Sequence, residues 1–182
     1  MLYIIITLVI GLILLYFLLT YNKLVTLRNR MLNQKSQVDV ELKTRFDLIP
    51  NLVEVVKGYA AHEKTTLEEV ISARNRYVSS GNVDEQLASD DSLETALTRL
   101  YVLTENYPNL KADKFFLDLQ HSLGETEQKI RFARQFYNDT VYLLNTNIEV
   151  FPASMVASLT GFKKEAFFKA SDSERENQKI SI

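Results

Sequence analysis

The chain has 182 residues, with 21 basic and 23 acidic side chains for a net charge of −2, and no cysteine. That near balance lacks the basic excess of a nucleic-acid binder, and the missing thiols exclude zinc–thiolate sites, disulfide frameworks and cysteine nucleophiles. The length holds one domain plus a short extra element.

The extra element comes first. Nothing from Met1 to Asn22 is charged, and LYIIITLVIGLILLYFLLT, Leu2 to Thr20, is apolar on every helical face. At about 1.5 Å per residue it is long enough to cross a hydrocarbon core of about 30 Å. A cleaved secretory signal needs a basic stretch before the apolar run and a small-residue cleavage site after it. Nothing basic precedes Leu2, and Tyr21, Asn22, Lys23 and Leu24 follow directly, so the run reads as a retained anchor. Lys23, Arg28, Arg30 and Lys35 lie just after it, which places the N-terminus outside and the remainder in the cytoplasm.

Lys23 to Asp47 continues the membrane helix, with Leu24, Leu27, Met31 or Leu32, Val38, Leu42 and Phe46 facing one way. Pro50, flanked by apolar residues in RFDLIPNLVEVVKGYAAHE, is expected to mark a corner, since proline suits the first turn of a new helix. From there Leu52, Val56, Tyr59, Glu63, Leu67, Val70, Arg74 and Tyr77 keep a three-four rhythm, and Ser79, Ser80, Gly81 and Asn82 form a stop signal. Asp91 with Glu94 resembles a capping box opening a third helix, whose stripe is Leu93, Leu97, Leu100 and Leu103 or Thr104. Asn106 to Asn109 reads as a turn around Pro108. Last comes the clearest seam: Phe116, Leu119, Leu123, Thr126, Ile130, Ala133, Tyr137, Thr140, Leu144, Asn147 and Phe151, ended by Pro152. The closing SDSERENQKISI is polar and expected to fray.

These elements give an all-α fold: a single N-terminal transmembrane helix continuing into a cytoplasmic antiparallel, four-helix, coiled-coil-like bundle. The anchor occupies 1–22, the bundle 23–162, and a basic, aromatic and then polar tail 163–182. Four blocks, YNKLVTLRNR, QVDVELKTRFDLIPNLVEVVKGYAAHE, ARNRY and ARQFYNDTVYLLNTNIEVFPASMVASLTGF, resemble the LemA family in order, spacing and content across nearly the whole chain. The resemblance implies the same anchor and helical bundle, and a bacterial inner membrane as location. It implies no catalytic residues.

The residues agree on that last point. His62-Glu63 begins like the HExxH metal helix, but the second histidine position is Thr66. Asp118-x-x-His121 is one approximation to a di-metal Glu-x-x-His arm, and no second arm exists. Glu68-Glu69, and Glu125 with Glu127, are acids of an exposed helix face, and no Gly-rich phosphate loop or nucleophile with a base is present. No catalytic, metal or cofactor-binding residue is assigned, and no cofactor is expected.

Polar residues near the seams carry more information. Arg45, Asp47, Arg74, Arg131, Arg134, Asn145 and Asn147 are expected to be paired across helices, because an unpaired buried charge costs several kcal/mol in order of magnitude. The alternative is a groove completed by another subunit. Phe162, Lys163, Lys164, Phe167 and Phe168, with Lys169, are expected to rest on anionic lipid, or else to fold back on the bundle wall. The reading is a non-enzymatic, membrane-anchored scaffold or assembly module, or alternatively an accessory subunit positioning a membrane enzyme or receptor, with a cryptic hydrolase or metal-dependent enzyme third. Its expected partners are the lipid bilayer and a homo-oligomer or membrane protein, not nucleic acid.

Overall fold

The computed structural model describes residues 1–79 and 83–168, with the backbone alone at 78, 83–88 and 91. Among the described residues the regular structure is helical throughout: α1 (Leu2–Tyr59), α2 (Lys64–Ser79), α3 (Val83–Thr104), α4 (Pro108–Lys111), α5 (Lys114–Glu149) and α6 (Ala153–Thr160). Ser80, Gly81 and Asn82 of the expected stop signal, Lys169 and the polar end of the tail lie outside the described residues.

The residues pack into two compact units, and α1 and α5 contribute to both. Unit 1 contains residues 1–39 and 131–168, and unit 2 contains 40–130.

Unit 1 is built on the first part of α1. From Leu2 to Leu19 its side chains are exposed, apart from the half-buried Phe17, and from Thr20 onward one face is covered. Leu24 and Met31 then form a core with Tyr137, Val141 and Leu144 of α5 and Val156 and Ala157 of α6, flanked by Phe17, Leu27, Ile148, Phe162 and Phe168. Met31 takes the seam position and Leu32 faces outward. The α6 helix stops at Gly161, whose φ of +75° suits a residue without Cβ, and the Phe162 N–H closes the end on Ala157 O at 3.0 Å.

Unit 2 is built on the second part of α1 and the first part of α5, running antiparallel in step. Arg45 meets Glu127 and Tyr59 meets Asp113, so fourteen residues along α1 (45 to 59) match fourteen along the other strand of the pair (113 to 127). Leu42, Phe46, Ile49, Leu52, Val53 and Val56 of α1 and Phe116, Leu123 and Ile130 of α5 are buried in this unit. α2 and α3 close the unit with Leu67, Val70, Ala73 and Tyr77 against Leu93, Ala96, Leu97 and Leu100. The Tyr77 ring sits 4.4 Å from that of Phe46, and Glu69 pairs with Arg99 at 3.1 Å.

Three boundaries differ from the pattern reading. The helix runs through Pro50 and turns at Ala60 to Glu63, so the expected corner lies ten residues later. An interior proline costs roughly 3 kcal/mol of helix propensity, but Phe46, Ile49, Leu52, Val53 and Val56 on both sides of it are all buried, and that packing outweighs the loss. His62 and Glu63 therefore lie in the turn rather than on a helix face. α3 begins at Val83, so Asp91 lies inside the helix rather than at its start. Finally, Phe151 at the end of the α5 seam is 79% exposed, because α5 stops at Glu149 before the seam reaches it. The turn around Pro108 stands as expected, with the proline in the first position of α4.

Candidate functional site

Unit 2 holds a buried charge cluster. Arg45 is only 4% exposed, and one guanidinium nitrogen lies 3.0 Å from Asp90 Oδ1 and 3.1 Å from Glu127 Oε2. Asp90 is buried, while Glu127 reaches solvent. The cluster ties α1 to α3 and to α5 at a single level. Burial pushes the hydroxyl of Tyr101 above its ordinary range, with Glu127 adding to the rise and Arg45 opposing it. The arrangement fixes helix register, since slipping α1 by one turn parts the buried Arg45 from both carboxylates at once.

At the far end of unit 2, Asp113 is the N-cap of α5. Its Oδ1 accepts from the Phe116 N–H at 3.0 Å, and its other oxygen accepts from the Tyr59 hydroxyl at 2.8 Å. The Phe116 bond first and the Tyr59 bond second hold its carboxyl below the usual carboxylate range, while the Tyr59 hydroxyl is raised. Nearby, the Tyr107 hydroxyl donates to Glu63 at 3.2 Å and braces the α1–α2 turn.

The remaining seam residues have diverse surroundings. Asp47 and Arg131 are exposed. Arg74 donates to its neighbour Asn75 at 3.1 Å, and Asn147 donates to Leu143 O one turn back at 2.7 Å, so those two bonds stay within their own helices. Arg134 lies over the Phe168 ring at 5.9 Å, and Asn145 is bonded twice to the main chain of Glu165. Ile49 and Leu52, which flank Pro50, are fully buried and offer no surface. Sequence reasoning missed Asp90, Glu127 and Asn138 as partners. Asp90 was hidden in a stretch that reads as a loop, and the seven-residue spacing of Asn138 and Asn145 was the available signal.

The aromatic tail is turned inward more than lipid contact requires. Phe162 and Phe168 are half-buried against the unit 1 core, with Phe162 edge-on to Tyr21 at 6.3 Å and Phe168 edge-on to Tyr137 at 4.7 Å. Lys164 pairs with Glu149, while Lys163 and Phe167 are exposed. The large outward apolar surface of this region is instead Phe151 at 79%, Met155 at 59% and Leu159 at 78%. These lie four residues apart, and α6 bears no charge.

No three histidine, aspartate or glutamate side chains gather to hold a metal ion among the described residues. A family model described as LemA family matches residues 34–182. The chain belongs to the LemA family. Magnetosome protein MamQ 2 of Paramagnetospirillum magneticum is 26% identical to this LemA-family chain, the match covering 84% of this chain and 65% of the relative. Magnetosome protein MamQ of Magnetospirillum gryphiswaldense is 25% identical over 83% of the chain and 65% of its own length. Protein LemA of Metamycoplasma hominis is 28% identical, covering 85% and 71% respectively. The chain thus spans about 65% of the length of the magnetosome relatives it matches. Among the described residues one helix is long and apolar enough to cross a membrane, and the matched family segment begins beyond its apolar run.

Proposed function

We propose that the chain is a membrane-anchored, non-enzymatic scaffold that assembles with itself on the cytoplasmic face of a bacterial inner membrane, N-terminus outside. One observation carries this reading. A single continuous helix passes from an apolar surface exposed on all sides, Leu2 to Leu19, to a seam buried at Thr20, Leu24, Met31, Val38, Leu42 and Phe46. A helix exposed and apolar all round is covered by lipid, and the positive residues that follow favour a cytoplasmic exit. The family and the MamQ relatives are in keeping with a membrane-associated protein of non-enzymatic type.

The bilayer is the first partner, and α6 is a contact beside the anchor. Its inner residues Val156 and Ala157 share a core with Leu24 and are flanked by Phe17, a residue of the apolar span itself. The helix therefore sits at the level where α1 leaves the hydrocarbon. Its uncharged outer residues, Met155 and Leu159, with Phe151 before them, dip into the boundary between headgroups and acyl chains. Lys163 beside them supplies a charge for anionic headgroups.

A second reading, an accessory subunit that positions another membrane protein, is favoured by a groove of about 980 Å³ in unit 2, lined by Pro50, Val53, Leu67 and Ile71 among others. Sizing the full chain in mild detergent, with metal analysis of the same sample, separates these readings. A defined homo-oligomer without metal is the expected result. A stable monomer supports the accessory role, and stoichiometric metal argues for an enzyme.

A further inference from the structure

Two asparagines of α5 hold the segment after α6 by its main chain. Asn145 donates from Nδ2 to Glu165 O at 2.9 Å, and its Oδ1 accepts from the Glu165 N–H at 2.9 Å. Asn138 makes the same pair of bonds with Phe168, at 2.9 and 2.8 Å. A side-chain amide offers one donor edge and one acceptor edge, as a neighbouring β-strand does, so each asparagine reads both backbone groups of an extended residue.

The spacing fits this role. Asn138 and Asn145 are seven residues apart, two turns on one face, a rise of about 10.5 Å. Glu165 and Phe168 are three residues apart, which in extended chain covers about 10 Å. Between them, the Tyr137 hydroxyl donates to Ala166 O at 3.1 Å. At the far end, the Phe168 ring is edge-on to Tyr137 at 4.7 Å and under the Arg134 guanidinium at 5.9 Å. These contacts read extended main chain followed by one aromatic ring, with no bond from them to the side chains of Glu165 or Ala166. With the segment seated Asn145 is 9% exposed, so its amide has exchanged water for the Glu165 main chain.

We propose that α5 carries a peptide-binding site for an extended segment ending in an aromatic residue, and that its ligand in trans is the Phe162–Phe168 segment of a second copy of this chain, exchanged for the resident one. This rests on the self-assembling reading given above. Three features favour a second copy as the source. Its segment has the same sequence, so exchange reproduces every contact, and exchange of identical elements is a low-cost route to assembly. Gly161, with its φ of +75°, is the point where the segment leaves α6, so redirecting it alters the chain at one residue. Phe162 rests on Tyr21 at the end of the anchor, so copies in one bilayer present their segments at the same height and at high effective concentration.

The test uses cysteine crosslinking of full-length chains in lipid nanodiscs, since the chain has no cysteine of its own. Lys164 and Glu149 pair through long side chains, so cysteines at these positions come within reach of a short bismaleimide when the segment is seated. A donor copy carries Lys164→Cys with Asn138→Ala and Asn145→Ala, and an acceptor copy carries Glu149→Cys with Phe162→Ser and Phe168→Ser. Mixed and treated with the bismaleimide, they are expected to yield a crosslinked dimer, which falls to background when the acceptor also loses both asparagines. Asn138→Asp with Asn145→Asp in the acceptor keeps the acceptor oxygens, removes the amide donors, and is expected to abolish the dimer as well, with helicity by circular dichroism unchanged. Absence of the dimer, or a dimer indifferent to the asparagines, overturns the proposal. Sizing the same samples tells the two failures apart: an oligomer without asparagine-dependent crosslinking overturns exchange alone, whereas a monomer overturns self-assembly too.

Discussion

Replacing Arg45 with alanine is expected to destabilise the chain by about 3–5 kcal/mol, the usual cost of removing one partner from a buried ion cluster. The substitution opens a cavity beside the buried Asp90 and takes the Arg45 guanidinium from its carboxylate. Glu127 suffers less, because it reaches solvent and can be hydrated. Chemical unfolding of the detergent-solubilised chain, followed by helical circular dichroism, measures the loss. A paired replacement, Arg45→Met with Asp90→Leu, is expected to recover most of it, because well-packed apolar groups of similar volume match or exceed a buried ion pair. If Arg45→Ala unfolds at the same denaturant concentration as the parent, the cluster does not hold the register of α1, α3 and α5.

Charging the outer face of α6 is the second large effect. Met155→Asp with Leu159→Asp is expected to remove about 2–4 kcal/mol of favourable burial in the lipid boundary, given roughly 1.5–3 kcal/mol for each fully transferred side chain and the exposure of both residues in the protein. The effect is read from a nitroxide on Phe151→Cys in nanodiscs, by its relative accessibility to oxygen, which concentrates in lipid, and to a water-soluble nickel chelate. In the parent the label is expected to favour oxygen, and the aspartate pair should turn it several-fold toward the chelate. A nitroxide on Glu68→Cys in α2 serves as the aqueous reference. A parent label at position 151 that matches this reference would remove α6 from the membrane surface and leave the anchor as the sole lipid contact.

Much of the fold was legible because its helices are long and its seams regular. Every α5 seam position from Phe116 to Leu144 is buried or half-buried, including the polar Thr126 and Thr140, whose hydroxyls bond back to their own helix at 2.8 and 2.9 Å. Helix ends were harder to read, since they depend on which face is covered rather than on local signals. Pro50 carries a strong local signal, and the packed residues on both sides override it. Asp91 and Glu94 match a capping pattern that also fits the middle of a helix, and the start lies eight residues earlier.

The sites were less legible for a related reason. Arg45 stood out as a charge on an apolar seam, but its partners come from helices far along the chain, and one sequence does not reveal such pairings. The phenylalanines of the tail were visible as an apolar cluster beside lysines. Which of them face outward depends on Gly161 and the asparagine ladder, which turn Phe162 and Phe168 back onto the core and leave Phe167 exposed. An amide that binds main chain has no sequence partner to betray it.

The membrane arrangement itself is open to a direct measurement in cells. Single cysteines at Leu2 and at the exposed Glu68 give two probes in a chain otherwise without thiols. In intact spheroplasts a membrane-impermeant maleimide is expected to label Leu2→Cys, and to label Glu68→Cys only after the membrane is opened. Labelling of Glu68→Cys in the intact spheroplast would place the helices beyond the anchor outside the cell and contradict a cytoplasmic scaffold.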